Sequence, residues 1–97
     1  MLTSKQRAYL RSVAAEQNAI MQIGKSGITP NLIKTVSDAL EAKELIKLSV
    51  LETCEETSKS ASEKLCAELN AEGVAVVGRK FVIYSESKEN KRIILPD

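Results

Sequence analysis

Residues Ile23-Gly24-Lys25-Ser26-Gly27 combine the types and spacing in this chain that are best suited to chemistry. Two glycines three positions apart let the backbone approach a ligand closely, because no Cβ stands in the way. Lys25 puts a positive charge at the tip of such a loop, and Ser26 adds a hydroxyl. Thr29 and Pro30 then read as the N-cap and first position of a helix, whose N-terminus attracts anions. A Gly-x-x-Gly loop of this kind suits phosphate, above all the phosphates of a nucleic-acid backbone.

Competing chemistries find less support. The P-loop of nucleotide hydrolases needs a glycine five positions before its Gly-Lys-Ser, and Ala19 stands there. The chain has no histidine, so it offers no Ser-His or Cys-His nucleophile and no imidazole base. Cys54 and Cys66, separated by eleven residues and without further ligands, do not make a zinc site and read as small reduced residues near the core. Adjacent Glu55 and Glu56 read as solvated rather than catalytic. Aromatics are 3% of the chain, and Phe81 lies in an apolar strand, which argues against base stacking as the main mode. The expectation is a non-enzymatic chain with no cofactor, no metal and no small-molecule substrate.

The elements that must position the loop can be read from periodicity. A first helix is expected over Ser4–Ala15, opened by the capping box Thr3-Ser4-Lys5-Gln6. Leu2, Gln6, Tyr9, Leu10 and Val13 would face the core, with Arg7 and Arg11 forming a ridge on the opposite face and Lys5 on its flank. Strand one spans Ala19–Ile23. Helix two runs from Pro30 to Ala42 on a stripe of Leu32, Ile33, Val36, Ala39 and Leu40, with Lys34 pointing outward. Strand two is Leu45–Leu51, with Lys47 and Ser49 alternating outward. An acidic loop over Glu52–Ser60 precedes helix three, Ser60–Asn70, which Gly73 ends. Strand three is Val74–Val77, and a Gly78-Arg79-Lys80 turn leads into strand four, Phe81–Tyr84. Residues 85–92 read as polar and mobile, and Ile93–Pro96 as a short edge segment. The fold class is α/β in the broad sense, an α+β two-layer arrangement. Its order is α-β-α-β-α-β-β, with a small four-stranded mixed sheet in which helix-connected strands are parallel neighbours.

The 97 residues are expected to form one domain, 1–97. No apolar run could span a bilayer, and the first residues do not read as a signal peptide, so no membrane partner and a cytoplasmic location are expected. The formal charge of +1 conceals segregation: residues 1–34 carry +4, residues 35–72 carry −5 and residues 73–97 carry +2.

Taken in order, Leu2-Thr3-Ser4-Lys5-Gln6-Arg7-Ala8-Tyr9-Leu10-Arg11, Ile23-Gly24-Lys25-Ser26-Gly27-Ile28-Thr29, Glu44-Leu45-Ile46-Lys47, Val77-Gly78-Arg79 with Ile83-Tyr84, and Ile94-Leu95-Pro96 resemble the YhbY-type or CRM family (chloroplast RNA splicing and ribosome maturation). The resemblance implies an RNA-binding domain with a fold like the C-terminal domain of bacterial translation initiation factor three. It further implies the single-domain bacterial type, which is associated with precursors of the large ribosomal subunit, so that ribosomal RNA of the pre-50S particle is the expected partner. By the motif match Gly24, Lys25, Ser26 and Gly27 would contact RNA, flanked by Lys5, Arg7, Arg11, Lys34 and Arg79. Ser85 stands where the family often has a basic residue, which together with the acidic middle implies a narrower basic footprint. A second expectation is an adaptor whose acidic 52–72 face docks a basic ribosomal protein.

Overall fold

The computed structural model describes residues 2–89, 91 and 93–96. Helix α1 spans Ser4–Ala15, as the capping box predicts: Thr3 Oγ1 accepts from the Gln6 N–H at 3.1 Å, and Gln6 Oε1 accepts from the Thr3 N–H at 3.0 Å. Strand β1 is shorter than expected, Met21–Ile23. Helix α2 runs Pro30–Lys43 behind its Thr29 cap, and β2 covers Leu45–Val50. Helix α3, Ser58–Leu69, starts two residues earlier than its periodicity indicates, because Thr57 and Ser60 form a second reciprocal cap. It ends at Asn70, which adopts the left-handed conformation at φ 55°, and not at Gly73. Asparagine tolerates that region because its short side chain bonds locally. Gly73 is thereby free to enter β3, Glu72–Val77, where a bulge shifts the register between Gly73 and Ala75. Strand β4 is Lys80–Tyr84.

The sheet order is β1-β2-β4-β3. β1 and β2 are parallel neighbours across α2, as expected, and β3 and β4 form the expected antiparallel hairpin. The strands joined by α3 are not neighbours: β4 inserts between β2 and β3 and pairs antiparallel with both. That placement follows from apolarity, since β4 buries Phe81, Val82, Ile83 and Tyr84 in succession and needs cover on both faces.

Helices lie on both faces of the sheet rather than on one. Ile46, Leu48, Val50, Phe81 and Ile83 pack with Val36 and Leu40 of α2 and with Ala61 and Leu65 of α3. On the reverse face Leu45, Val82 and Tyr84 pack with Leu10 and Ala14 of α1 and with Leu2 just before it. The second layer anticipated for a two-layer arrangement is thus divided, with α1 alone on one side. Tyr9 is 40% exposed, and Ala14 takes the core position expected of it. Leu10 is fully buried against this smaller cluster, so Leu10→Ala is expected to cost about 2–5 kcal/mol, measurable by chemical denaturation.

The segment after β4 is anchored where mobility was expected. Glu44, the C-cap of α2, is fully buried at φ 66°. Its carboxylate accepts from the N–H groups of Ser87 at 2.9 Å and Ile93 at 2.8 Å. Glu41, one turn earlier, accepts from the Ser87 hydroxyl at 2.8 Å and from the Lys88 and Glu89 amides at 3.2 Å. Beyond it, Ile93 and Leu95 pack against the α1 cluster and Gln6 Nε2 donates to the Pro96 carbonyl, so this stretch is a strap rather than an edge strand. Positions 90 and 92, included in the expectation of mobility, lie outside the described residues.

The Ser87 hydroxyl first, and then the amides, hold the Glu41 carboxyl below its usual 4.5. A carboxylate with a depressed folded pKa stabilises the fold above its unfolded pKa and loses that contribution as pH falls through the folded value. Exchange protection of the Lys88 and Glu89 amides is therefore expected to decline below pH 4.5, and Glu41→Gln to abolish that step.

Candidate nucleic-acid interface

Gly24 to Gly27 form a β-turn closed by the Gly27 N–H donating to the Gly24 carbonyl at 3.0 Å. Lys25 and Ser26 occupy its centre and are exposed. Gly27 follows at φ 67°, in the left-handed region that disfavours any residue with a Cβ. The turn is held from below: Leu51 N–H donates to the Ile23 carbonyl at 2.9 Å, and half-buried Ile28 and Ile33 pack into the larger core. Thr29 Oγ1 accepts from the Leu32 N–H at 3.1 Å and starts α2 two residues after the turn. A charged tip therefore sits beside a helix N-terminus, a combination that favours anions.

The two loop glycines have different roles. A Cβ at Gly24 would meet Leu51 Cδ1 at 3.6 Å, an ordinary contact, whereas one at Gly27 would be unobstructed but strained. Gly27→Ala is expected to cost about 1–2 kcal/mol. Gly24→Ala is expected to leave the melting temperature unchanged while adding a methyl where a ligand backbone would approach. Paired melting and RNA-titration measurements on the two variants test this separation.

Arg79 lies at the same end of the sheet. The β3–β4 hairpin turns through Gly78, at φ 60°, and Arg79, whose carbonyl accepts from the Val50 N–H at 2.7 Å. Ser58 Oγ donates to the Gly78 carbonyl at 2.6 Å, fixing the hairpin to the start of α3. Arg79 is 3.6 Å from Glu52, both exposed, and such a pair contributes little and is readily exchanged for another anion. Lys34 is exposed one turn into α2.

Lys5, Arg7 and Arg11 do not join this cluster, because α1 lies on the other face of the sheet. Lys5 is exposed near the start of that helix. Arg7, expected on an outward ridge, turns toward the sheet and donates from Nε to the Gly73 carbonyl at 3.1 Å, at the far end of β3 from the hairpin tip. Arg11 is exposed and borders a slot between α1 and the sheet.

The flank of the loop toward α3 is acidic. A shallow cavity of about 560 Å³ there is lined by Lys25, Ser26 and Gly27 on one side and by Glu55, Glu56, Glu68 and the cation Lys64 on the other. Lys64 and then Ser60 bond Glu56 and lower its pKa, so it remains charged. Burial raises the Cys66 thiol, keeping it protonated and unreactive. Among the described residues no group of three His, Cys, Asp or Glu side chains could hold a metal ion. Among them, too, no helix is long and apolar enough to cross a membrane.

A fold with this loop belongs to a defined class of module. Residues 2–85 match the CRS1 / YhbY (CRM) domain, and the chain belongs to that family. Among its relatives, the Probable RNA-binding protein YqeI of Bacillus subtilis is 48% identical over 96 residues, 99% of this chain and 100% of that protein. An RNA-binding protein of Haemophilus influenzae is 30% identical over 90 residues, covering 93% of this chain and 91% of the relative. The solution structure of a hypothetical protein from Staphylococcus aureus, described as a candidate RNA-binding protein, has a TM-score of 0.82 at 50% identity and covers 99% of this chain and 100% of its own. These relatives are named as RNA binders.

Proposed function

We propose that residues 1–97 act as one RNA-binding domain that grips RNA backbone at the end of the sheet bearing the Gly24–Gly27 turn. The observation that carries this reading is the placement of exposed Lys25 and Ser26 on a rigid turn next to the N-terminus of α2, with Arg79 at the same sheet end. Membership of the CRM family and the RNA-binding names of its relatives support it. The target we infer is ribosomal RNA of large-subunit precursors in the cytoplasm, in line with the resemblance to single-domain bacterial members. Phosphate contacts make such binding salt-dependent and weakly selective for sequence.

Lys25→Ala is expected to lower the slope of log affinity against log salt by about 0.7 on single-stranded RNA, with the fold unchanged. An unaltered slope would remove the loop from the interface. Crosslinking in cells is expected to recover large-subunit ribosomal RNA, and recovery of other RNA alone would overturn the ribosomal assignment. The carboxylates facing the loop favour a second contact, with a basic ribosomal protein on the 52–72 face. Charge reversal at Glu55 and Glu56 would abolish a ribonuclease-resistant association if that contact exists.

A further inference from the structure

The acidic flank of the loop restricts how a polyanion can leave it. Glu55, Glu56 and Glu68 stand on the α3 side of the turn with Lys64, which pairs with Glu56, so that side keeps an excess of negative charge that repels a strand of RNA gripped there. On the reverse side lies the part of the sheet that α1 leaves open. Register aligns Gln22, Ser49, Lys80 and Val77 in one row across all four strands. Side chains two apart on a strand share a face, so this row belongs to the α1 side, together with Lys47, Ala75 and Val82. The row begins on β1 one residue before Ile23 and reaches the strands on either side of the Gly78-Arg79 tip.

Beside this row α1 and the sheet enclose a slot of about 250 Å³. Ala14 and Ala15 form its helical wall, Ala75, Val77 and Val82 its apolar floor, and Arg11, Lys47 and Lys80 its cationic rim, with no carboxylate among the lining residues. Val77 is 74% exposed, an unusual amount of apolar surface for a strand residue flanked by cations. Lys47 is fixed in place by donating to the Gln17 carbonyl at 2.9 Å. The slot is smaller than the roughly 300–1,000 Å³ of pockets for whole small molecules. An apolar cleft of this volume, rimmed by positive charge, matches a nucleobase with its neighbouring phosphates.

We propose that this open half of the sheet is a second RNA-contacting surface, in which one unpaired base enters the slot beside α1 while Arg11, Lys47 and Lys80 hold the flanking phosphates. The proposal rests on the reading of the chain as an RNA binder and adds the class of RNA, single-stranded next to the gripped backbone. It also gives Arg11 a role separate from that of the loop.

The test compares Arg11→Ala/Lys80→Ala with Lys43→Ala/Lys88→Ala, an equal loss of charge elsewhere, on a single-stranded oligonucleotide carrying 4-thiouridine and on a blunt duplex. Two lost phosphate contacts are expected to lower the single-strand salt slope by about 1.4 and affinity at 0.15 M salt about tenfold. The control pair and the duplex are expected to show much smaller changes. Crosslinks are expected within residues 75–82, and Val77→Asp, at an exposed position, is expected to abolish them. If Arg11→Ala/Lys80→Ala matches the control, the second surface is overturned and the slot is left to a protein partner. Lys25→Ala measured in parallel separates the readings, because a loop effect without a slot effect refutes only the slot, and the reverse refutes only the loop.

Discussion

Glu44→Ala is expected to destabilise the domain by about 3 kcal/mol, because the N–H groups of Ser87 and Ile93 lose a shared acceptor and each such loss costs about 1–3 kcal/mol. For a chain of this length that corresponds to a fall of about 12–24 °C in melting temperature. Alanine inherits the positive φ, so the backbone strain is unchanged and the loss reports the carboxylate. Glu44→Gln keeps one acceptor but turns a donor toward the other amide, and its effect should fall between alanine and the native residue. Hydrogen exchange read residue by residue would show residues 85–89 losing protection in Glu44→Ala. A melting temperature within about 4 °C of the native value would mean the carboxylate contributes under 1 kcal/mol.

Phe81→Ala is expected to cost about 3–5 kcal/mol, the usual range for truncating a fully buried aromatic residue. Phe81 is 1% exposed, pairs with Leu48 and Val76, and lies in the core shared with α2 and α3. Native domains of this size have about 5–15 kcal/mol in total, so roughly a fifth or more of the stability depends on one ring. Its signature differs from that of Glu44. Global unfolding in denaturant should shift strongly, while native-state protection of the strap at residues 85–89 should fall only by the global amount. Equal local loss of the strap in both variants would refute the separation of the two packing units.

What the sequence revealed follows from how local its causes are. The limits of α1 were legible because Thr3 and Gln6 satisfy each other within one turn. The Gly24–Gly27 turn and the Thr29-Pro30 start of α2 were legible for the same reason. The place of β4 between β2 and β3 was not, since it depends on which strand needs two covered faces and on pairings across more than thirty residues. Glu44 entered the sequence reading only as the first residue of Glu44-Leu45-Ile46-Lys47, and its anchoring role depends on the amides of Ser87 and Ile93 more than forty positions away. Arg7 and Arg11 were assigned one shared face, and only the crossing of α1 over β3 separates their surroundings. The slot had a partial signal in the outward alternation of Lys47 and Ser49, but its other wall comes from α1. The Gly24–Gly27 turn was thus readable from the sequence alone, whereas the surface around it required the fold.

The insertion of β4 has a further consequence during protein synthesis. The last strand made occupies an interior position, so β2 has one neighbour and β3 none until Lys80–Tyr84 leave the ribosome. At about 5–20 residues per second, about 3–12 s separate the synthesis of Ile23 at the end of β1 from that of Tyr84, and the apolar faces of α1, α2 and α3 wait for their platform meanwhile. A nascent chain of this topology cannot complete either half of its core early. Stalling short of β4 would leave an open strand edge beside exposed leucines, a form prone to aggregate, and the finished domain emerges almost at once when the last strand arrives.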